Sequence, residues 1–137
     1  MTPLQGFSPD TTNPAMGELL GREIVLMEDG LSEARFTIGE TWLNMQGILH
    51  GGAYAAMLDT CCGMAIRSLL DLEKYRGHST LELKTSYFKA GYPGVFVGKG
   101  KVLRMGRSIA YAEAGLFNAD GDEVGRASAT FKLLARD

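Results

Sequence analysis

The stretch from residue 50 to residue 70, HGGAYAAMLDTCCGMAIRSLL, constrains this chain more than any other. Alanine, methionine, leucine, cysteine and isoleucine fall on nearly every side of the helix it predicts. A helix that is apolar all round in a water-soluble chain must be enclosed by other elements. Membrane insertion is the other home for such a segment, but Asp59, Arg67 and three glycines within 51–70 argue against a bilayer span. Two features then need a reason. Asp59 sits in the middle of the segment, and His50-Gly51-Gly52 stands where the helix begins.

What encloses the helix is legible downstream. After a polar link, DLEKYRGHS, come TLELKTSYFKA, VFVGKGKVLRMG, RSIAYAEAGLFNA and EVGRASATFKLLA. These runs alternate, are rich in β-branched and aromatic residues, and are separated by Gly/Pro, Gly/Arg and Asp-Gly turns, which predicts four successive strands, most simply an antiparallel meander. Upstream, REIVLME and LSEARFTI flank Asp29-Gly30 and read as a hairpin. NPAMGELLG reads as a short helix capped by Asn13, with Pro14 in its first position and Gly21 at its exit. GETWLNMQGI has no steady period and reads as a loop, and residues 1–12 read as a loose segment. The expected fold class is therefore α+β: about six antiparallel strands curled around one long helix, with 1–137 forming a single domain.

Charge and composition narrow the partners. The formal net charge is −2, so there is no basic field for nucleic acid. The first residues lack the basic start and apolar run of a secretory signal, so a soluble cytoplasmic protein is expected. Cys61 and Cys62 point about 100° apart on a helix and read as buried reduced thiols. His50 and His78 have no cysteine or carboxylate at ligand spacing, so neither a metal nor a cofactor is expected.

The spacing Asn44-x-x-Gly47-x-x-His50-Gly51-Gly52, then Asp59 and Gly63, followed by TLELKTSYFKAG and GRSIAYAEAGLFNADGDEVGRASATFKL, resembles the hotdog-fold thioesterases of the phenylacetate-degradation (PaaI-like) type. The resemblance runs from about residue 15 to the end. It implies hydrolysis of acyl-coenzyme A thioesters by a homodimer or a dimer of dimers. It also implies that Asn44 orients the thioester or the attacking water, and that the hydroxyl of Thr80 positions water or the carboxylate. One departure stands out: where relatives often carry Arg-Pro after the third strand, this chain has FKAGYPG.

Thioester hydrolysis needs a group that activates water or attacks the carbonyl, and donors for the oxygen that becomes negative. Asp59 is the only acid in the helix, and a carboxylate among apolar neighbours is a stronger base than one in water. Its other reading is a buried carboxylate satisfied by nearby donors. The unsatisfied backbone N–H groups at the helix start, at Gly51 and Gly52, suit the oxyanion and the substrate, because glycine lets an oxygen approach. They also suit a tight turn that merely needs glycine. His50 either lends a hydrogen bond near the carbonyl or shapes the helix start; Asn44 can equally cap its loop, and Thr80 can be a plain strand residue. Arg104 and Arg107, flanking Gly106, can meet coenzyme A phosphates or simply be a solvated turn.

Spacing adds a conclusion of its own. Gly51 and Asp59 are separated by about 12 Å of helix, so one carbonyl cannot lie roughly 3 Å from both. If both act on it, they come from different subunits of a two-fold dimer. Two other functions remain open on the same fold. A hydratase or dehydratase would act on the acyl thioester without releasing thiol, and a non-catalytic acyl-CoA-binding module would leave it intact.

Overall fold

The computed structural model describes residues 15–137. Its elements run α1 (Ala15–Leu19), β1 (Glu23–Glu28), β2 (Leu31–Ile38), a turn of 3-10 helix (Glu40–Trp42), α2 (Gly51–Arg67), β3 (Tyr75–Tyr87), β4 (Gly94–Met105), β5 (Ile109–Phe117) and β6 (Glu123–Ala135). The six strands form one antiparallel sheet in the order β1-β2-β4-β5-β6-β3, which curves around α2. This is the expected hotdog arrangement. The loose segment 1–12 and the Asn13 and Pro14 positions lie outside the described residues.

The β1–β2 hairpin forms where Asp29-Gly30 predicts it. Both residues have positive φ, 52° and 79°, as the two central positions of a type I′ turn require. Alternation along β2 then points Ala34, Phe36 and Ile38 inward. Phe36 pairs with Phe96 of β4, and both are fully buried with Phe131 of β6. Each such ring contributes about 1.5–3 kcal/mol by leaving water.

The four later strands do not make a simple meander. β4, β5 and β6 do, but β3 pairs with β6 at one sheet edge and β4 pairs with β2. The connection from β3 to β4 therefore crosses the N-terminal end of α2 instead of turning back. The KAGYP segment is shaped for this crossing. Leu49 N–H donates to the Gly91 carbonyl at 2.9 Å, and the Tyr54 hydroxyl donates to the Lys89 carbonyl at 2.7 Å. A β-carbon at Gly91 would stand 2.6 Å from that hydroxyl. β3 also begins earlier than its apolar pattern suggests. Tyr75–Ser79, read as part of a link, pairs with the end of β6, whose backbone groups would otherwise lack partners.

α2 ends at Arg67 rather than at residue 70. The Ser68 hydroxyl donates to the Ala65 carbonyl at 2.6 Å and accepts from Gly30 N–H at 2.8 Å, tying the helix end to the first hairpin. Strand β4 approaches α2 so closely that a β-carbon on Gly100 would fall 2.3 Å from the Cys61 carbonyl oxygen. Enclosure of α2 is incomplete, however. Gly52, Ala55, Ala56, Asp59, Thr60 and Arg67 are exposed or half-buried, forming an open stripe along one face.

Candidate active site

α2 starts at Gly51 because His50 caps it. The His50 backbone is extended (φ −60°, ψ 140°), and its Nδ1 accepts from Gly52 N–H at 2.8 Å. A nitrogen that accepts cannot carry the proton, so the proton of neutral His50 is on Nε2. Ala53 N–H is taken by the His50 carbonyl. Gly51 N–H, the first of the helix, donates to no group among the described residues. It is thus a donor at the positive end of the helix.

Asn44 stands beside it. Its side-chain oxygen accepts from Gln46 N–H at 2.9 Å and Ile48 N–H at 3.4 Å, so the carboxamide oxygen shapes the loop and the NH2 group remains as a donor. Asn44 and Gly51 together line two adjoining clefts. The second of these is walled by Tyr87, whose hydroxyl donates to the Gly51 carbonyl at 3.1 Å and accepts from the Thr85 hydroxyl at 3.1 Å. Tyr54 packs edge-on against the Tyr87 ring, with centroids 5.2 Å apart. Tyr87 lies within a predicted strand, but periodicity says nothing of where a strand end meets a helix start.

Asp59 lies two turns along α2 and lines a separate cavity of about 360 Å³ with Arg22, Thr60, Gly63, Met64, Arg67, His78, Thr80 and Phe131. It is half-buried in the single chain, not sealed. The Thr80 hydroxyl donates to Asp59 Oδ1 at 2.8 Å. That bond fixes the carboxylate and leaves its second oxygen without a hydrogen-bond donor among the described residues. Thr60 is not a competitor, since its hydroxyl donates to the Ala56 carbonyl at 2.7 Å. His78 enters the same cavity edge-on to Phe131, with centroids 5.3 Å apart. Burial, helped by the positive charge of Arg67, holds its pKa down to about 4, so the ring is neutral near pH 7. Cys62, behind Asp59, is inert as a thiol because burial and the adjacent carboxylate push its pKa up to about 12.

Two groups of residues result. Asn44, His50, Gly51 and Gly52 meet at the N-terminal end of α2; Asp59 and Thr80 meet at its middle. Within the single chain they line different cavities. Arg104, Gly106 and Arg107 join neither group. Their tight turn sits near the start of β3, where the Tyr75 hydroxyl donates to the Arg107 carbonyl, at the far end of α2 from Gly51. Sequence reasoning missed His78, Arg22 and Arg67 as neighbours of Asp59. Extending the strand alternation back from Thr80 would have placed His78 on the same face.

The model of one family, the thioesterase superfamily, matches residues 46–125. A medium/long-chain acyl-CoA thioesterase of Salmonella typhimurium is 29% identical, over 64% of this chain and 64% of its own. The structure of a phenylacetic acid degradation-related protein from Ralstonia eutropha superposes with a TM-score of 0.80 and 29% identity, covering 87% of this chain and 89% of that one. A hypothetical thioesterase protein of Streptococcus pneumoniae, solved with coenzyme A, superposes with a TM-score of 0.75 and 28% identity, covering 84% and 87%. That protein has also been solved with an aspartate, and separately with a threonine, changed to alanine.

Proposed function

The chain belongs to the thioesterase superfamily, and on that premise we propose that it hydrolyses acyl-coenzyme A thioesters to the free acid and coenzyme A at a site shared between two copies of the chain. The observation that carries this reading is the separation of the two half-sites. A carboxylate steadied by a hydroxyl, Asp59 with Thr80, lies on the same helix as the open amide of Gly51, about 12 Å away along the axis. A two-fold pair of chains brings Gly51 of one against Asp59 of the other, and does so twice. The half-exposed stripe from Gly52 to Arg67 is the part of α2 that a second chain can cover.

In this reading the thioester carbonyl accepts from Gly51 N–H, and the NH2 group of Asn44 helps to orient it. His50 keeps Gly51 available by engaging Gly52 N–H, so its part is to position the amide. The free oxygen of Asp59 takes a proton from a water as that water attacks the carbonyl carbon. The carbonyl π electrons move to oxygen, where the amide holds the charge. Collapse re-forms the carbonyl and breaks the carbon–sulfur bond, and the thiolate takes up the proton from Asp59. Direct attack by Asp59, giving a mixed anhydride that water then opens, uses the same groups; a single turnover in heavy-oxygen water would label Asp59 only on that route.

The Salmonella relative's acyl-CoA substrates and the coenzyme A of the pneumococcal structure support coenzyme A as the carrier. The aspartate and threonine changed in that pneumococcal protein are the two side-chain types that meet here. The test is free-thiol release from a panel of acyl-CoAs, beside the Asp59→Asn variant. Loss of about two to four orders of magnitude in rate is expected of a base or nucleophile; turnover at the unsubstituted rate would remove Asp59 from the mechanism. Gly51→Val is expected to stop turnover while leaving the chains associated, and an unchanged rate would exclude the amide pocket.

A further inference from the structure

Strand β3 reaches α2 at both half-sites through hydroxyl groups, which plain alternation would forbid. Thr80 and Tyr87 are seven positions apart. Successive residues of a strand face opposite ways, so an odd separation sends two side chains to opposite faces. The register of β3 on β6 shifts between Thr80 and Glu82. Thr80 pairs with Phe131 and Glu82 with the adjacent Thr130, so Leu81 is an extra residue, a β-bulge that resets the alternation. Thr80 and Tyr87 therefore both turn to the helix. The Thr80 hydroxyl donates to Asp59 Oδ1 at 2.8 Å, and the Tyr87 hydroxyl donates to the Gly51 carbonyl at 3.1 Å.

The second contact falls on the residue that most needs one. Gly51 is the first residue of α2, and glycine has the widest backbone freedom of any residue. It has no side chain of its own to hold its N–H in one orientation. The Tyr87 phenol lies against its bare face: a β-carbon on Gly51 would stand 3.3 Å from the hydroxyl oxygen. That phenol is itself fixed. Thr85 donates its hydroxyl to it at 3.1 Å. The Tyr54 ring, anchored by its bond to the Lys89 carbonyl, packs edge-on against it with centroids 5.2 Å apart. A chain of contacts thus runs from Thr85 through Tyr87 to Gly51, from strand to helix.

We propose that Tyr87 is the positioning residue of the Gly51 amide, as Thr80 is of the Asp59 carboxylate. The inference rests on the hydrolysis reading above, in which that amide receives the negative oxygen. A donor stabilises a developing charge best when it is already in place. Holding the Gly51 carbonyl limits rotation about the same α-carbon that carries the N–H. Tyr87 touches no reacting atom in this role; its effect passes through the backbone.

Tyr87→Phe keeps the ring against Tyr54 and removes only the hydroxyl. Losing an oxyanion donor outright costs about 10²–10³ in kcat. Loosening one costs less, so Tyr87→Phe is expected to lower kcat by roughly three- to tenfold, with KM for the acyl-CoA unchanged. NMR relaxation is measured on the same two proteins. The order parameter of the Gly51 N–H is expected to fall below the rigid-backbone value of about 0.85 in the variant, while those of Leu58 and Cys62 in mid-helix hold. A purely structural hydroxyl would lower the thermal midpoint and leave kcat and the Gly51 order parameter as they were, and that result overturns the inference. So does a rise in KM at constant kcat, which would make Tyr87 a substrate contact. Absence of thiol release from every acyl-CoA by the unsubstituted protein refutes the hydrolysis reading instead, and the order parameter still decides whether Tyr87 holds the amide.

Discussion

Thr80→Val replaces a hydroxyl by a methyl of similar size and removes the donor to Asp59 Oδ1. What that costs depends on where the bond lives. Thr80 is exposed in the single chain and Asp59 is half-buried. A hydrogen bond open to water is worth about 0.5–1.5 kcal/mol at most, whereas one to a charged group shut away from water is worth about 1.5–3 kcal/mol. If a second chain covers the stripe, the larger range applies during turnover, and kcat/KM should fall by roughly ten- to hundredfold. Thr80→Ser, which restores the donor, should recover most of the loss. Folding of the single chain should hardly notice either change, because the bond there is exposed. The assay is steady-state thiol release beside thermal unfolding. A fall of less than about threefold for Thr80→Val, with Asp59→Asn still inactive, would refute the argument that this hydroxyl steadies the carboxylate in an enclosed site.

Other perturbations reach different parts of the account. Gly100→Ala should destabilise the fold by about 1–3 kcal/mol in urea titration, because the new carbon would fall 2.3 Å from the Cys61 carbonyl oxygen, backbone against backbone. His50→Ala removes the helix cap and should cost about 1 kcal/mol, with His50→Asn recovering most of it; equal stability of all three would mean the Nδ1 contact is unimportant. His78 should make stability acid-sensitive. Its folded pKa of about 4 lies below the ordinary value of 6.5, so the unfolded chain binds the proton more readily. Stability is then full above about pH 6.5 and is lost as pH falls toward 4, by at most ~3 kcal/mol and less where water reaches the ring. Thermal midpoints between pH 7 and pH 4.5 should fall less for His78→Leu than for the unsubstituted protein.

Much of the architecture could be read from the chain because it rests on local chemistry. Asp29-Gly30 forces a hairpin through its own backbone, and alternation in β4, β5 and β6 marks their buried faces. The order of the strands was less legible, since pairing of β3 with β6 goes with the crossing segment at Gly91, which packs on Tyr54, 37 positions away in the sequence. Ser68 ended α2 by a hydroxyl shared with Gly30, a contact no window of sequence contains. At the candidate site, Asp59 and Gly51 were singled out by their places on the helix and Asn44 by the family resemblance, and the structure adds the hydrogen bonds around each. His78 escaped notice because it sat in a segment taken for a link, and Arg67 was weighed only as a charge that argues against a bilayer span. Asp59 is half-buried in the single chain, and on the proposed reading a second chain completes its surroundings.

Complementation between two inactive variants tests the shared site most directly. Gly51→Val keeps its carboxylate and Asp59→Asn keeps its amide, so a mixed pair regains one intact site and leaves the other doubly broken. Random pairing after co-expression makes half the dimers mixed, and activity per chain should return to about a quarter of the unsubstituted value. A mixture as inactive as its two parents, with mixed dimers shown to be present, would place both groups within one chain and contradict the account.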